Sequence, residues 1–233
     1  MSTRQDFVTS IGYWVFGNKF PIGEPEKIKA VDKAVKEHSK HKPKIRVVDV
    51  TGTATFEYKC TTYLTYWKEG FSTIKTIEYP VDDTDETPDM ILDEEMISNY
   101  RKSDGEYFRF LEDEPSATQT FRVNYTAPHV VDNSGSTIDY NDEEAVEMLA
   151  ASYFCLMLAA AYSSTNDSTI SADSVNHRSK AQEFRAQAKE YREKYFAHLG
   201  IKEGENVPSC EKVDWDNYPS WQSDRLTHLN KYR

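Results

Sequence analysis

Asp173 and His177 are four residues apart, with Ser174 between them. On one helix face that set is the raw material of an activated nucleophile. A plainer reading is stronger: Ser171 or Asp173 caps a helix, His177 sits at a surface or interface, and Arg178 and Lys180 are solvated. His38 and His41, three apart, offer two metal ligands, but no third ligand of suitable type stands near them in the sequence. Two histidines at the lysine-rich end of a helix are better read as a favourable contact with its dipole. The acidic stretch Asp82–Glu95 lacks the ligand spacing and the bending glycine of a calcium loop and reads as solvated. No phosphate loop, dinucleotide fingerprint, nucleophile elbow, HExxH or CxxC pattern is present. The expectation is a non-enzymatic protein with no cofactor and no metal.

These residues must be carried by elements, and the composition allows many. The chain has 233 residues, 38% hydrophobic and 13% aromatic, enough for one large domain or two small ones. Its net charge of -11 repels nucleic-acid phosphates, so a dedicated nucleic-acid binder is not expected. Cys60, Cys155 and Cys210 are scattered and read as reduced thiols. The start of the chain shows no secretion signal, which points to a reducing cytosol. The apolar run Ala150–Tyr162 is shorter than the roughly 20 residues of a bilayer span and reads as a buried helix, with no membrane partner.

Residues 1–43 hold an aromatic segment that reads as a short helix or hook, then an amphipathic helix with Ile28, Val31, Ala34, Val35 and His38 on one face. A basic strip of Lys40, Lys42, Lys44 and Arg46 follows; it is a candidate for lying close to DNA, against the plainer reading of a solvated face. Residues 44–128 are β-rich, with expected strands at Ile45–Val50, Thr53–Tyr66, Ile74–Tyr79, Tyr107–Leu111 and Thr120–Thr126 and a helical turn near Met90–Tyr100. Alternation of Phe121, Val123 and Tyr125 with Arg122 and Asn124 predicts antiparallel sheet with one wet face.

Residues 129–200 predict an antiparallel helix hairpin. Its first helix is apolar on nearly every side, with Leu156 expected in the core. Its second carries the stripe Val175, Ala181, Phe184, Ala188, Tyr191, Tyr195, Leu199 and ends at Gly200. His177, Arg178, Phe184, Tyr191 and Tyr195 are candidates for a ring or bundle interface. Residues 201–233 form an extended arm whose Trp215, Tyr218, Trp221, Leu226 and Tyr232 are candidate partner-docking anchors. The fold class expected is α+β: a helical bundle made by the N-terminal helix and the C-terminal hairpin, with an inserted antiparallel β-rich domain and a C-terminal tail.

The order of several segments carries a resemblance. After the amphipathic helix come Val47-Val48-Asp49-Val50-Thr51-Gly52, Trp67-Lys68-Glu69-Gly70-Phe71-Ser72, Ile77-Glu78-Tyr79-Pro80 and Val123-Asn124-Tyr125-Thr126-Ala127-Pro128-His129. An alanine-rich helix follows, and then Asp173-Ser174-Val175-Asn176-His177-Arg178-Ser179-Lys180. Over residues 26–199 this resembles the head–tail connector or adaptor (neck) proteins of tailed bacteriophages. The resemblance implies a homo-oligomeric ring matching a twelve-fold portal, with the portal protein and adjacent neck or tail proteins as partners. It also implies a virion location after assembly in the bacterial cytoplasm. DNA would pass through such a ring without specific binding, and a net charge of -11 per subunit suits a channel to which DNA does not stick. Other virion components (a tail terminator or baseplate protein), a cellular binding module and a hydrolase built on Asp173, Ser174 and His177 are the alternatives.

Overall fold

The computed structural model describes residues 2–15, 21–81, 91–92, 96–164 and 177–201. Helix α1 (Arg4–Trp14) begins where Thr3 and Asp6 form a reciprocal capping box, and it buries Phe7, Val8 and Ile11. Helix α2 (Glu24–His41) has Pro25 in its first turn and acidic Glu24 and Glu26 at its positive end; it buries Ala30, Val31, Ala34 and Val35. Helix α4 (Tyr140–Ser164) packs against α1, α2 and α5 (His177–Leu199) through Ala145, Val146, Leu149, Phe154 and Leu158. Helices α4 and α5 run antiparallel. Asp142 meets His198, the Ser152 hydroxyl donates to the Ala188 carbonyl at 2.8 Å, and Tyr162 stacks on Phe184. Gly200 at φ +68° ends α5 in the left-handed conformation expected of it.

Two three-stranded antiparallel sheets lie between α2 and α4 in the sequence. One has the order β1 (Lys44–Thr51), β6 (Thr120–Ala127), β3 (Ile74–Glu78); the other has β2 (Glu57–Lys59), β5 (Gly105–Phe110), β4 (Ile97–Lys102). All eight residues of β1 pair with β6, from Lys44↔Ala127 to Thr51↔Thr120. Phe121, Val123 and Tyr125 are buried as the alternation predicts. They share a core with Val50, Tyr58, Ile77, Phe108 and Phe110, separate from the helical core. Edge-to-face rings dominate it, with Tyr58–Phe121 centroids at 4.9 Å and Phe110–Phe121 at 5.1 Å. The molecule is α+β.

Four expectations are corrected. Thr53–Tyr66 is not one strand: only Glu57–Lys59 is extended, followed by the short helix α3 (Cys60–Tyr63). Ala54 (φ +52°) and Tyr66 (φ +64°) turn the chain at either end, which an extended run does not permit. The second half of the Met90–Tyr100 stretch is the start of strand β4, paired with β5 from Ile97↔Phe110 to Lys102↔Gly105. Leu156 is 44% exposed, because α4 has neighbours on its other sides and leaves this one open. The apolar part of α4 also extends well beyond Ala150–Tyr162: Tyr140–Ser163 is long and apolar enough to cross a membrane, although over half of its apolar window is covered by the rest of the chain.

Candidate functional site

One set of polar side chains, His38, His41, His129, Asp142 and Tyr195 among them, converges where the end of α2, the start of β1, the 128–139 segment, the start of α4 and the end of α5 meet. Tyr195, brought in by the α5 stripe, is fully buried there. Its hydroxyl lies 3.3 Å from His38 Nδ1 and 3.0 Å from His41 Nδ1. One phenol can donate to one ring and accept from the other. His38 Nε2 is buried without a partner, and an unpaired lone pair there costs less than an unpaired N–H. That accounting assigns Nδ1–H to His38, donating to the phenol oxygen, and lets the phenol donate to His41 Nδ1.

The ring of His129 is 5.2 Å from that of His38. Its Nε2 lies 2.9 Å from the Lys42 carbonyl, and its Nδ1 lies 3.1 Å from the Thr137 carbonyl and 3.3 Å from the Thr137 hydroxyl. Burial lowers the pKa of His38 to about 4, with further repulsion from His129, Lys42 and His41 against an opposing attraction from Asp142. Burial also lowers His41 and His129. Burial thus disfavours charge on all three rings, most strongly on His38, and the dipole reading is corrected for that residue: it carries no charge for the helix end to attract.

Around this interior stands a charged rim. Burial acts to raise the Asp142 carboxyl, but hydrogen bonds from Lys42 (2.6 Å) and His198 (3.1 Å) outweigh it and hold it below the usual range. Lys44 pairs with Asp139 at 2.7 Å. Of the basic strip, Lys40 is exposed, Lys42 and Lys44 are paired to carboxylates, and Arg46 lies over the Tyr66 ring at 4.1 Å. Two of the four charges of the strip, those of Lys42 and Lys44, are thus paired with carboxylates from within the chain.

Asp173 and Ser174 lie outside the described residues; His177 and Arg178 open α5. Phe184 stacks on Tyr162, and the Tyr191 hydroxyl donates to the Trp14 carbonyl at 2.7 Å, so these rings, with Tyr195, join helices within one chain. Trp215, Tyr218, Trp221, Leu226 and Tyr232 lie outside the described residues. Cys60 and Cys155 are buried free thiols, and burial raises both to about 12, which keeps them protonated. Among the described residues no group of three or more His, Cys, Asp or Glu is placed to hold a metal. Sequence reasoning missed the participation of His129, Tyr195 and Asp142 in one network, since their contacts span 56 to 157 positions in the chain.

No protein-family model matches the chain, and no curated protein matches it.

Proposed function

We propose that this protein is a structural subunit of a tailed-phage virion: a head–tail adaptor that assembles as a ring beneath the portal and joins the DNA-filled head to the tail. The observation that carries the reading is the shared core of α1, α2, α4 and α5, helices from both sides of the β segment, with a separate aromatic core in the β segment itself. A helical bundle with a β-rich insertion is what the resemblance over residues 26–199 leads one to expect, and this shared helical core supports that reading. The burial of His38, Tyr195, Cys60 and Cys155 among packed side chains suits a structural role. In the ring, the portal protein and neighbouring neck or tail proteins are the partners, and DNA passes through without specific contacts.

Imaging of the tagged chain recovered from its natural source, together with native mass, tests the reading. Rings, alone or on a larger toroid and on virus particles, are expected, and particles made without the protein should be filled heads that hold no tails. Normally tailed particles in its absence would overturn the proposal. Rings found at the distal end of the tail would move the assignment to a baseplate component, and a stable complex with a non-viral protein to a cellular binding module.

A further inference from the structure

Strand β1 pairs with β6 along its whole length and lies at the edge of its sheet. Among the described residues, nothing hydrogen-bonds to the backbone along its other edge. Alternate residues of such an edge present free N–H and C=O groups, and proteins ordinarily protect them. The other strand edges among the described residues are protected. Strand β3 is capped by the Leu92 N–H donating to the Ile77 carbonyl and by the bridge to Ile91; β2 is three residues long; β4 ends in Arg101 and Lys102. Strand β1 instead exposes Ile45 (63%) and Val47 (57%). Beside it runs a groove of about 1070 Å³ whose walls include Tyr66 (54% exposed) and Tyr140 (86%). Four of the nine large hydrophobic side chains exposed among the described residues therefore line one groove.

The charge along this edge narrows what fits. Lys44 is neutralised by Asp139, whereas Arg46 has no carboxylate partner among the described residues: its guanidinium lies on the Tyr66 ring, and its buried Nε has no hydrogen-bond partner. Tyr66 is held at φ +64°, a conformation that a tyrosine adopts only at a cost, and it places the ring against Arg46. A strand added here sets one residue on the Arg46 face and its two neighbours on the face of Ile45 and Val47. We propose that the outer edge of β1 docks an extended segment of another protein, which adds as a strand and offers an acidic side chain between two apolar ones. A second β1 does not fit. Its own Ile45-Arg46-Val47 is apolar–basic–apolar, and the antiparallel register that matches Ile45 to Val47 sets the two arginines side by side. The proposal does not depend on the ring.

The test uses the full chain, isotopically labelled, with two short synthetic peptides: one alternating valine with aspartate, the other alternating valine with lysine. Saturable binding of the aspartate peptide is expected, with slowed hydrogen exchange at the β1 amides and affinity about tenfold above that of the lysine peptide. Arg46→Glu should reverse the preference. Val47→Asn, a change without charge at an exposed position that leaves the sheet core alone, should weaken binding of the aspartate peptide in a chain whose thermal unfolding is unchanged. Absence of saturable binding to the folded protein, equal binding of both peptides, or β1 amides already protected without peptide through a second copy would each overturn the proposal.

Discussion

At the scale of single residues, the buried junction makes the protein sensitive to acid in a direction that can be worked out. His38 in the folded chain has its pKa lowered to about 4 from an ordinary 6.5, so the unfolded chain takes up a proton at this position first as the pH falls. The stability held in the neutral ring is complete above about pH 6.5 and is lost progressively toward pH 4, amounting to about 3 kcal/mol at full loss. His41 and His129 shift in the same direction and add to it. Thermal unfolding measured from pH 7.5 down to pH 4 should show the melting temperature falling most steeply below pH 6.5, with the His38 ring signals still unprotonated at pH 5 by NMR. A flat profile would mean that water reaches the ring. Tyr195→Phe, which leaves both Nδ1 atoms without their partner, should cost about 1–3 kcal/mol and be read in the same melts. Only part of this was legible in advance. His38 and His41 stand out by spacing, but a neighbour 157 positions away decides whether they meet metal, solvent or a phenol, and no local pattern carries that information.

Elements that announce themselves by periodicity were legible, and those defined by their partners were not. The stripe of α2, that of α5 from Ala181 onward and the alternation in β6 correspond to buried faces because each element has one wet side; Val175 lies outside the described residues. Strand β4 has no apolar alternation, since Ile97, Ser98, Asn99, Tyr100, Arg101 and Lys102 are all exposed or half-buried. Its signal was the turn: Ser103-Asp104 with Gly105 behind it is hairpin chemistry, and Gly105 takes φ +144°. Helix α4 illustrates the opposite failure. An apolar residue on every side does not say which side is covered, and the prediction for Leu156 changes accordingly. Leu156→Asp should shift the melting temperature little, because the new carboxylate reaches water, whereas Leu158→Asp buries a charge in the helical core and should prevent folding under ordinary conditions. Equal effects would mean that α4 is rotated from the orientation described. In the sheets, Phe121→Ala removes a ring that touches Tyr58, Phe108 and Phe110, and a loss of about 3–5 kcal/mol in denaturant melts is expected.

For the whole molecule, the separation between what folds the chain and what docks it is the point on which the adaptor reading can be pressed hardest. Met1–Glu203 make up one compact unit, and both hydrophobic cores lie inside it. Residues 206–233 hold Trp215, Tyr218, Trp221, Leu226 and Tyr232, residue types that carry interface energy out of proportion to their number, about 2 kcal/mol or more for a true anchor. Deleting residues 206–233 should therefore leave cooperative unfolding intact, with circular dichroism and melting temperature close to those of the full chain, while association with portal-bearing particles falls by an order of magnitude or more. The two readouts separate the possibilities because they respond to different contacts. A truncated chain that melts early or aggregates would place the arm among the folding contacts of residues 1–203 and remove its anchors from the docking surface. A truncated chain that folds and still joins particles at full strength would put the docking energy on the remaining exposed apolar surface, of which the edge of β1 is the largest concentration among the described residues.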